Sequence, residues 1–298
     1  MVACTAPKIL SMNNFQTVSV AMCTYNGQRF LAQQLQSFLD QTVQPDELVV
    51  CDDVSSDDSV AVVEAFAARA PFAVRVFRNP QNLGYIRNFE QAIAQCTGDL
   101  VFLCDQDDVW DPRKIEKLRD VFVAEPQAGL VLHDFVRVNA EGGPYDFPEE
   151  RYGERQLLGS ELPDEVRAHG IRAFMLPSPR AWCGCMMAFR RKWSRVLLPI
   201  YPGKGHDDWI LKLLGPLTEV RFVGEPLIQY RMHSSNSNNH EVGRKAWVVF
   251  FLKLRKRLHN MRMGYSKKNF YRWILRRIET SGLSVKRPEL LEMYKRYV

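Results

Sequence analysis

Residues 99–110 read Asp99-Leu100-Val101-Phe102-Leu103-Cys104-Asp105-Gln106-Asp107-Asp108-Val109-Trp110. An apolar run typical of a buried strand passes directly into a segment with three carboxylates. Burying that much negative charge costs free energy unless a positive group lies among the carboxylates. Mg²⁺ or Mn²⁺ with a diphosphate would supply the charge, since hard cations prefer carboxylate oxygens. A solvated turn whose aspartates cap a helix is the alternative, and the run alone leaves both open.

Outward from this run, strand-like apolar segments alternate with segments of helical period. We expect strands at 17–23, 47–51, 72–77 and 99–104, and helices around 30–39, 60–67, 86–94 and from 112 onward. This alternation predicts an α/β fold with a mostly parallel sheet flanked by helices. Ligands of such sheets bind beyond the carboxyl ends of the strands. The polar segments 24–26, 52–53 and 105–108 lie at those ends.

Composition excludes several classes of protein. The chain has 298 residues, 46% hydrophobic and 25% charged, as in ordinary globular domains and unlike disordered or collagen-like chains. No dinucleotide-binding glycine pattern follows the first strand and no Walker-type loop is present, so we expect neither a dehydrogenase nor a P-loop enzyme. The first residues do not resemble a secretory signal. Cysteines in strand-like runs suit a reduced, cytoplasmic protein.

Charge divides the chain into two parts. Residues 241–298 carry 16 Lys and Arg against 4 Asp and Glu, whereas residues 1–240 carry 24 against 30. We therefore predict a main domain over 1–240 and a basic, amphipathic helical extension over 241–298. The extension either contacts an anionic membrane surface or packs on protein, including as a homodimer contact. The acidic main domain argues against nucleic-acid binding. The apolar run 246–252 is too short for a membrane span.

Several motifs occur in a fixed order along residues 17–240. They are Val18-Ser19-Val20-Ala21-Met22-Cys23-Thr24-Tyr25-Asn26, Cys51-Asp52-Asp53-Val54-Ser55, Asn82-Leu83-Gly84 with Arg87-Asn88, the acidic run, Trp182-Cys183-Gly184-Cys185, His206-Asp207-Asp208-Trp209 and Tyr230-Arg231-Met232-His233. Together they resemble glycosyltransferase family 2, which has the GT-A fold and inverts configuration at the transferred sugar. The acidic run and the two histidine motifs are similar to the rhamnosyltransferase-like branch, which builds bacterial surface polysaccharides such as O-antigen.

The resemblance implies a nucleotide-sugar site at the strand ends. Thr24 and Asn26 would line the nucleotide pocket, and Asp53, with Asp52 as the alternate, would hold the base. Arg87 would meet the donor phosphates or the sugar. One residue departs from the family pattern: Val54 stands where glycine is common, and a β-branched residue disfavours positive φ, so the turn under the base pocket could differ.

The resemblance also implies a metal site and a base. Asp105 would contact ribose or a metal-bound water, while Asp107 and His233 would ligate Mg²⁺ or Mn²⁺. Arg231 would add positive charge beside the leaving group, and Asp207 would act as the general base. Trp110 could be a packing anchor or an acceptor platform. Cys183 and Cys185, without partner ligands, are poor evidence for zinc.

The implied reaction moves a sugar, such as rhamnose, from a dTDP- or UDP-linked donor to a hydroxyl of a glycan or lipid-linked glycan. Such an enzyme could be peripheral at the inner face of the plasma membrane. Two alternative functions are also compatible with the sequence. A sugar nucleotidyltransferase would need a basic glycine-rich loop after the first strand, where residues 24–29 differ. A non-catalytic carbohydrate-binding or scaffold homologue would not need the carboxylates.

Overall fold

A computed structural model describes residues 16–145, 183–234, 236 and 263–298. Its strands are Val18–Thr24 (β1), Glu47–Asp52 (β2), Ala73–Arg78 (β3), Leu100–Cys104 (β4), Val109–Trp110 (β5), Ala128–Val138 (β6), Met187–Arg190 (β7) and Glu219–Arg231 (β8). Its α-helices are Gln28–Leu39 (α1), Ser59–Ala67 (α2), Tyr85–Gln95 (α3), Lys114–Ala124 (α4), Ser194–Leu197 (α5), His206–Leu214 (α6), Lys267–Ser281 (α7) and Pro288–Lys295 (α8). Short 3₁₀ turns flank β7 at Gly184–Met186 and Arg191–Trp193.

The strands form one mixed sheet in the order β3-β2-β1-β4-β7-β6-β8-β5. β1 to β4 are mutually parallel, and β6 pairs in parallel with β8. β7 runs antiparallel between β4 and β6, and the short β5 pairs antiparallel with β8. The predicted α/β class with a mostly parallel, helix-flanked sheet is confirmed. The carboxyl ends of β1, β2 and β4 meet at one edge, which places the three polar segments there.

Helices cover both faces of the sheet, because alternate side chains of a strand point to opposite faces. In β1, Ala21 and Cys23 belong to one hydrophobic cluster, while Val20 and Met22 belong to the other. The first cluster includes side chains of α3, α5, α6, α7 and α8, and the second includes side chains of α1, α2 and α4. The strand segments read as continuous apolar runs because both faces are buried.

The C-terminal helices are part of the first cluster. Phe270 and Ile274 of α7 and Tyr294 of α8 are buried. Tyr294 Oη donates to the carbonyl of Lys212 in α6 at 3.1 Å, and Arg277 Nη1 donates to the carbonyl of Leu198 at 2.7 Å. The predicted helical character of the C-terminal segment is confirmed for α7 and α8, and these helices pack on the main domain.

The apolar face predicted at Trp247, Phe250, Phe251, Leu254, Leu258 and Met261 lies outside the described residues. The division into 1–240 and 241–298 stays a prediction. Among the helices that the structure describes, none has the length and apolar character needed to cross a membrane.

Candidate functional site

The acidic segment 105–108 lies at the end of β4, where the central strands present their carboxyl ends. Gln106 fixes it to the end of β1: its Oε1 accepts from Tyr25 N at 2.8 Å, and its Nε2 donates to Tyr25 O at 3.0 Å. Gly27 allows this approach, because an added Cβ would lie 2.2 Å from Gln106 Oε1. Sequence reasoning missed Gln106. The sequence offered one indication of this role, which is the amide side chain of Gln106 between Asp105 and Asp107.

Asp107 and His233 come together although 126 residues separate them in the sequence. His233 Nε2 lies 2.8 Å from Asp107 Oδ2, and Asn236 Nδ2 lies 3.3 Å from the same oxygen. The His233 ring packs against Phe30 with centroids 4.4 Å apart. Adjacent ligands of an octahedral Mg²⁺, each about 2.1 Å from the metal, lie roughly 3 Å apart. The 2.8 Å separation is that of a hydrogen bond between the two side chains, and it is also compatible with adjacent ligands of one divalent cation.

The other two carboxyl groups of the segment lie in surroundings that disfavour their ionised forms. Burial, and then the charge of Asp107, raise the pKa of Asp105 to about 7. The same two causes raise the pKa of Asp108 far above its usual range, and its buried Oδ2 has no hydrogen-bond partner among the described residues. Oxygens of both aspartates and Cys185 Sγ lie within 4.8 Å of one another. A cation bound nearby would favour the ionised forms of both groups.

Lys114 supplies a buried cation behind the acidic segment. Its Nζ donates to the carbonyl of Cys185 at 2.7 Å and lies 3.7 Å from the centroid of the Trp110 ring. Burial lowers the pKa of Lys114 to about 8. Trp110 is 2% exposed and packs edge-on against Phe38, so in this structure it is a packing residue, and it is not available as an acceptor platform.

Arg231 clamps the acidic segment to the rest of the sheet edge. The side chain is 2% exposed, and its Nε donates to the carbonyl of Asp107 at 2.8 Å. Nη1 donates to the carbonyl of Ala140 at 2.9 Å, and Nη2 donates to Gln33 Oε1 at 2.6 Å. Each guanidinium nitrogen already has a protein acceptor. The role of Arg231 beside a leaving group stays a prediction.

Asp207 lies on another element, within electrostatic reach of Asp105. It lies in the first turn of α6, where its Oδ1 accepts from the backbone N–H of Asp208 at 2.7 Å. Burial raises the pKa of Asp207 to about 6, so the group is a carboxylate at pH 7. Its charge contributes to the raised pKa of Asp105, which places the two carboxylates within electrostatic reach. Asp208 instead forms ion pairs with Lys204 and Lys212.

His206 holds the start of α6 against α3. Its ring stacks on Phe89 with centroids 4.0 Å apart, and an added Cβ on Gly184 would lie 2.1 Å from its Nε2. Burial lowers the pKa of His206 to about 3, so the ring is neutral at pH 7. Neither ring nitrogen has a hydrogen-bond partner among the described residues. His206 is thus a packing residue, and its contacts fix the backbone directly before Asp207.

The predicted base-pocket aspartates are buried and already hydrogen-bonded. Asp52 accepts from Thr24 Oγ1 at 2.8 Å and from Ser55 N at 2.9 Å. Asp53 accepts from Asn79 Nδ2 and from the backbone N–H groups of Leu83 and Gly84, at 2.7 to 2.9 Å. These bonds tie the ends of β1, β2 and the 82–84 loop together. The two carboxylates hold this edge of the sheet together, and direct base contact stays a prediction.

Asn26 and Val54 complete this pocket edge with positive φ angles of 49° and 66°. Asn26 Oδ1 accepts from the backbone N–H of Ser56 at 2.8 Å. Val54 adopts a left-handed conformation, which a β-branched residue disfavours, so this turn carries strain. Arg87, predicted near the donor phosphates, forms an ion pair with Glu90 at 2.6 Å. The structure shows no Arg87 contact with the acidic segment among the described residues.

Comparison with known proteins agrees with this architecture. The model of the family described as glycosyl transferase family 2 matches residues 19–197. An uncharacterized glycosyltransferase of Nostoc sp. is 28% identical over 229 residues, covering 74% of this chain and 66% of the relative. The chain thus spans slightly less than two thirds of that relative's length.

Two solved structures show the likeness in fold. S. aureus TarS in complex with UDP-GlcNAc superposes with a TM-score of 0.61 at 17% identity, covering 94% of this chain and 72% of TarS. The mannosyltransferase PcManGT of Pyrobaculum calidifontis, in complex with GDP-Man and Mn²⁺, gives a TM-score of 0.52 at 19% identity, covering 79% and 62% of the two chains. At these identities the likeness establishes the fold, which is the GT-A fold.

Proposed function

We propose that this chain, which belongs to glycosyl transferase family 2, transfers a sugar from a nucleoside diphosphate to a hydroxyl group with inversion of configuration. One observation supports this most: Asp107 contacts His233 beyond the end of β4, and Asp207, on a different element, is near enough for its charge to raise the pKa of Asp105. Asp107 and His233 would serve the leaving diphosphate, and Asp207 would serve the attacking hydroxyl. TarS and PcManGT, which share the fold, bind nucleotide sugars.

Asp107 and His233 would hold the divalent cation, Mg²⁺ or Mn²⁺. When bound, that cation acts as a Lewis acid toward the diphosphate that departs. The direct contact of Asp107 with His233, beside two carboxyl groups whose ionised forms a cation would favour, supports this assignment. Arg231 keeps Asp107 in place through its bond to the Asp107 carbonyl and adds a nearby positive charge. Asp105 would contact ribose or a water beside the cation.

Asp207 would remove the proton of the acceptor hydroxyl as the new bond forms. With a pKa near 6, it is ionised at pH 7 and still basic enough to take a proton in the transition state. Attack from the side of Asp207, opposite the diphosphate, displaces the leaving group in line and inverts the anomeric centre. General base catalysis of this kind contributes roughly 10²–10⁴-fold.

The donor side would use the pocket at the ends of β1 and β2. Thr24, Asn26 and Asp53 shape it, and Arg87 would exchange its ion pair with Glu90 for the donor phosphates or sugar. The rhamnosyltransferase-like motifs favour a dTDP-rhamnose donor, with UDP-linked hexoses as the alternative. The acceptor would be a glycan or lipid-linked glycan of a bacterial surface polysaccharide.

An anionic membrane could meet the enzyme at the outer face of α7. Lys268, Arg272 and Arg276 recur every four residues on this helix and are exposed, and Trp273 beside them is 43% exposed. Basic residues near an anionic surface contribute about 1 kcal/mol each. A lipid-linked acceptor would then be presented where the enzyme docks. A homodimer through the same segment is the competing use of this face.

Nucleoside diphosphate release tests the proposed activity. The full chain is first screened with dTDP-, UDP- and GDP-linked sugars and Mn²⁺ by thermal shift, since a ligand of the native state raises its melting temperature. We expect release with the stabilising donor, its loss on addition of EDTA, and weaker donor stabilisation in Asp107→Ala and His233→Ala. Asp120→Ala, at an exposed position on α4, is the control. Turnover that EDTA leaves unchanged would contradict the metal assignment.

A further inference from the structure

Tyr85 places an exposed aromatic ring beside the proposed base. It is the first residue of α3, and its side chain is 47% exposed. The ring lies edge-on to His206, with centroids 6.0 Å apart, and His206 directly precedes Asp207. Burial of the hydroxyl end, together with the charges of Asp207 and Asp208, raises the pKa of Tyr85 to about 12. The phenol therefore remains protonated and can donate a hydrogen bond at any pH at which the enzyme would work.

The backbone that carries Tyr85 is held rigidly on the side of the donor pocket. Gly84, with a φ of 77°, donates its N–H to Asp53 Oδ2 at 2.8 Å, and Asn88 Nδ2 donates to the carbonyl of Cys51 at 2.8 Å. One helical turn after Tyr85, Phe89 stacks on His206. The start of α3 is thus fixed both to the end of β2 and to the start of α6. An exposed ring on a backbone held this firmly is pre-positioned for a ligand.

We propose that Tyr85 is the acceptor-side platform, on which a sugar ring of the acceptor stacks while its hydroxyl faces Asp207. This inference rests on the proposed function. An aromatic face binds the C–H face of a sugar, and the protonated phenol offers a hydrogen bond to a neighbouring hydroxyl. Trp110, the aromatic residue that the sequence suggested for this role, is buried against Phe38.

Binding of simple glycosides provides the test. Methyl glycosides of glucose, galactose, mannose, N-acetylglucosamine and rhamnose are added to the full chain with Mn²⁺ and the donor's nucleoside diphosphate, and contact is read by saturation-transfer NMR. We expect at least one glycoside to bind wild type, to bind Tyr85→Phe within about threefold, and to lose binding at least tenfold in Tyr85→Ala. Val123→Ala removes an exposed apolar side chain on α4 and is the matched control.

Donor hydrolysis distinguishes failure of the acceptor role of Tyr85 from failure of the proposed function. Release of nucleoside diphosphate with water as acceptor does not require the platform, so Tyr85→Ala should retain it within about threefold. Equal glycoside binding by wild type and Tyr85→Ala overturns the acceptor role, as does failure of wild type to bind any glycoside while it hydrolyses donor. Hydrolysis lost together with glycoside binding in Tyr85→Ala also overturns it. A wild-type chain that releases no nucleoside diphosphate with any donor instead refutes the proposed function.

Discussion

Phe270→Ala tests whether the C-terminal helices are integral to the domain that carries Asp207. Phe270 is 1% exposed, and its ring packs against Tyr201 and Trp209 with centroids 5.3 and 6.1 Å apart. Truncating a fully buried Phe to Ala typically lowers the free energy of unfolding by about 3–5 kcal/mol, because the burial of the ring is lost and a cavity is left in its place. That is a large part of the roughly 5–15 kcal/mol by which a domain is stable. Trp209 lies on α6 two residues after Asp207, so the cavity should also loosen the proposed base.

Denaturant unfolding of the full chain measures this cost. The free energy of unfolding of Phe270→Ala should fall by about 3–5 kcal/mol at an unchanged m-value. Lys268→Ala, an exposed change on the same helix, should alter it by no more than about 0.5 kcal/mol. A loss below about 1 kcal/mol in Phe270→Ala, or equal losses in the two variants, would show that α7 is an appendage and that the packing described here is wrong.

Three further predictions follow from strained or titrating groups. Val54→Gly should stabilise the fold by about 0.5–1 kcal/mol, because removing the backbone strain of a valine at positive φ outweighs the conformational entropy that glycine adds to the unfolded chain. The control Val136→Gly, on β6, should lower the free energy of unfolding in the same denaturation assay. Burial alone would raise the pKa of Glu47, but hydrogen bonds, the largest from Ser19, lower this pKa to about 2. Ionised Glu47 therefore stabilises the fold by about 3 kcal/mol above pH 4.5, and this stabilisation is lost as the pH falls through 2. Glu47→Gln should be less stable than wild type at pH 7 and much closer to it at pH 2, and an equal difference in stability at both pH values would contradict this. Burial raises the pKa of Asp207 to about 6, so transfer should fall about tenfold per pH unit below 6, whereas a flat pH–rate profile would exclude Asp207 as the base.

The sequence could predict those parts of the fold that depend on local pattern. Continuous apolar runs followed by polar residues located β1, β2 and β4 and put their carboxyl ends at one edge, because strands buried on both faces cannot alternate. The positions of β5 and β7 were beyond such reasoning. Each is short and antiparallel, and each is fixed by pairing with residues far along the chain, as Val109 is with Gln229.

The site was predictable in its residue types and less so in its geometry. The carboxylates of 105–108 stand out in the sequence because charge follows a buried strand directly. The burial of Arg231 could not be foreseen, since its acceptors come from Gln33, Asp107 and Ala140 on three separate segments. The same holds for Trp110, whose buried neighbour Phe38 lies on α1. Whether such a side chain binds a ligand or contacts the protein itself depends on these long-range contacts, which the sequence does not show.

Asp207→Asn, compared with Asp208→Asn, tests the central claim that Asp207 is the base of an inverting transfer. Donor affinity by thermal shift and transfer rate under single-turnover conditions are measured for both variants and wild type, with Mn²⁺ present. Asp207→Asn should bind donor like wild type and melt at a higher temperature, because a carboxylate with a raised pKa destabilises the fold at pH 7. Its transfer rate should fall about 10²–10⁴-fold, while Asp208→Asn, which loses only ion pairs to lysine, retains transfer within about tenfold. Wild-type transfer by Asp207→Asn, or an equal loss in both variants, would contradict the account.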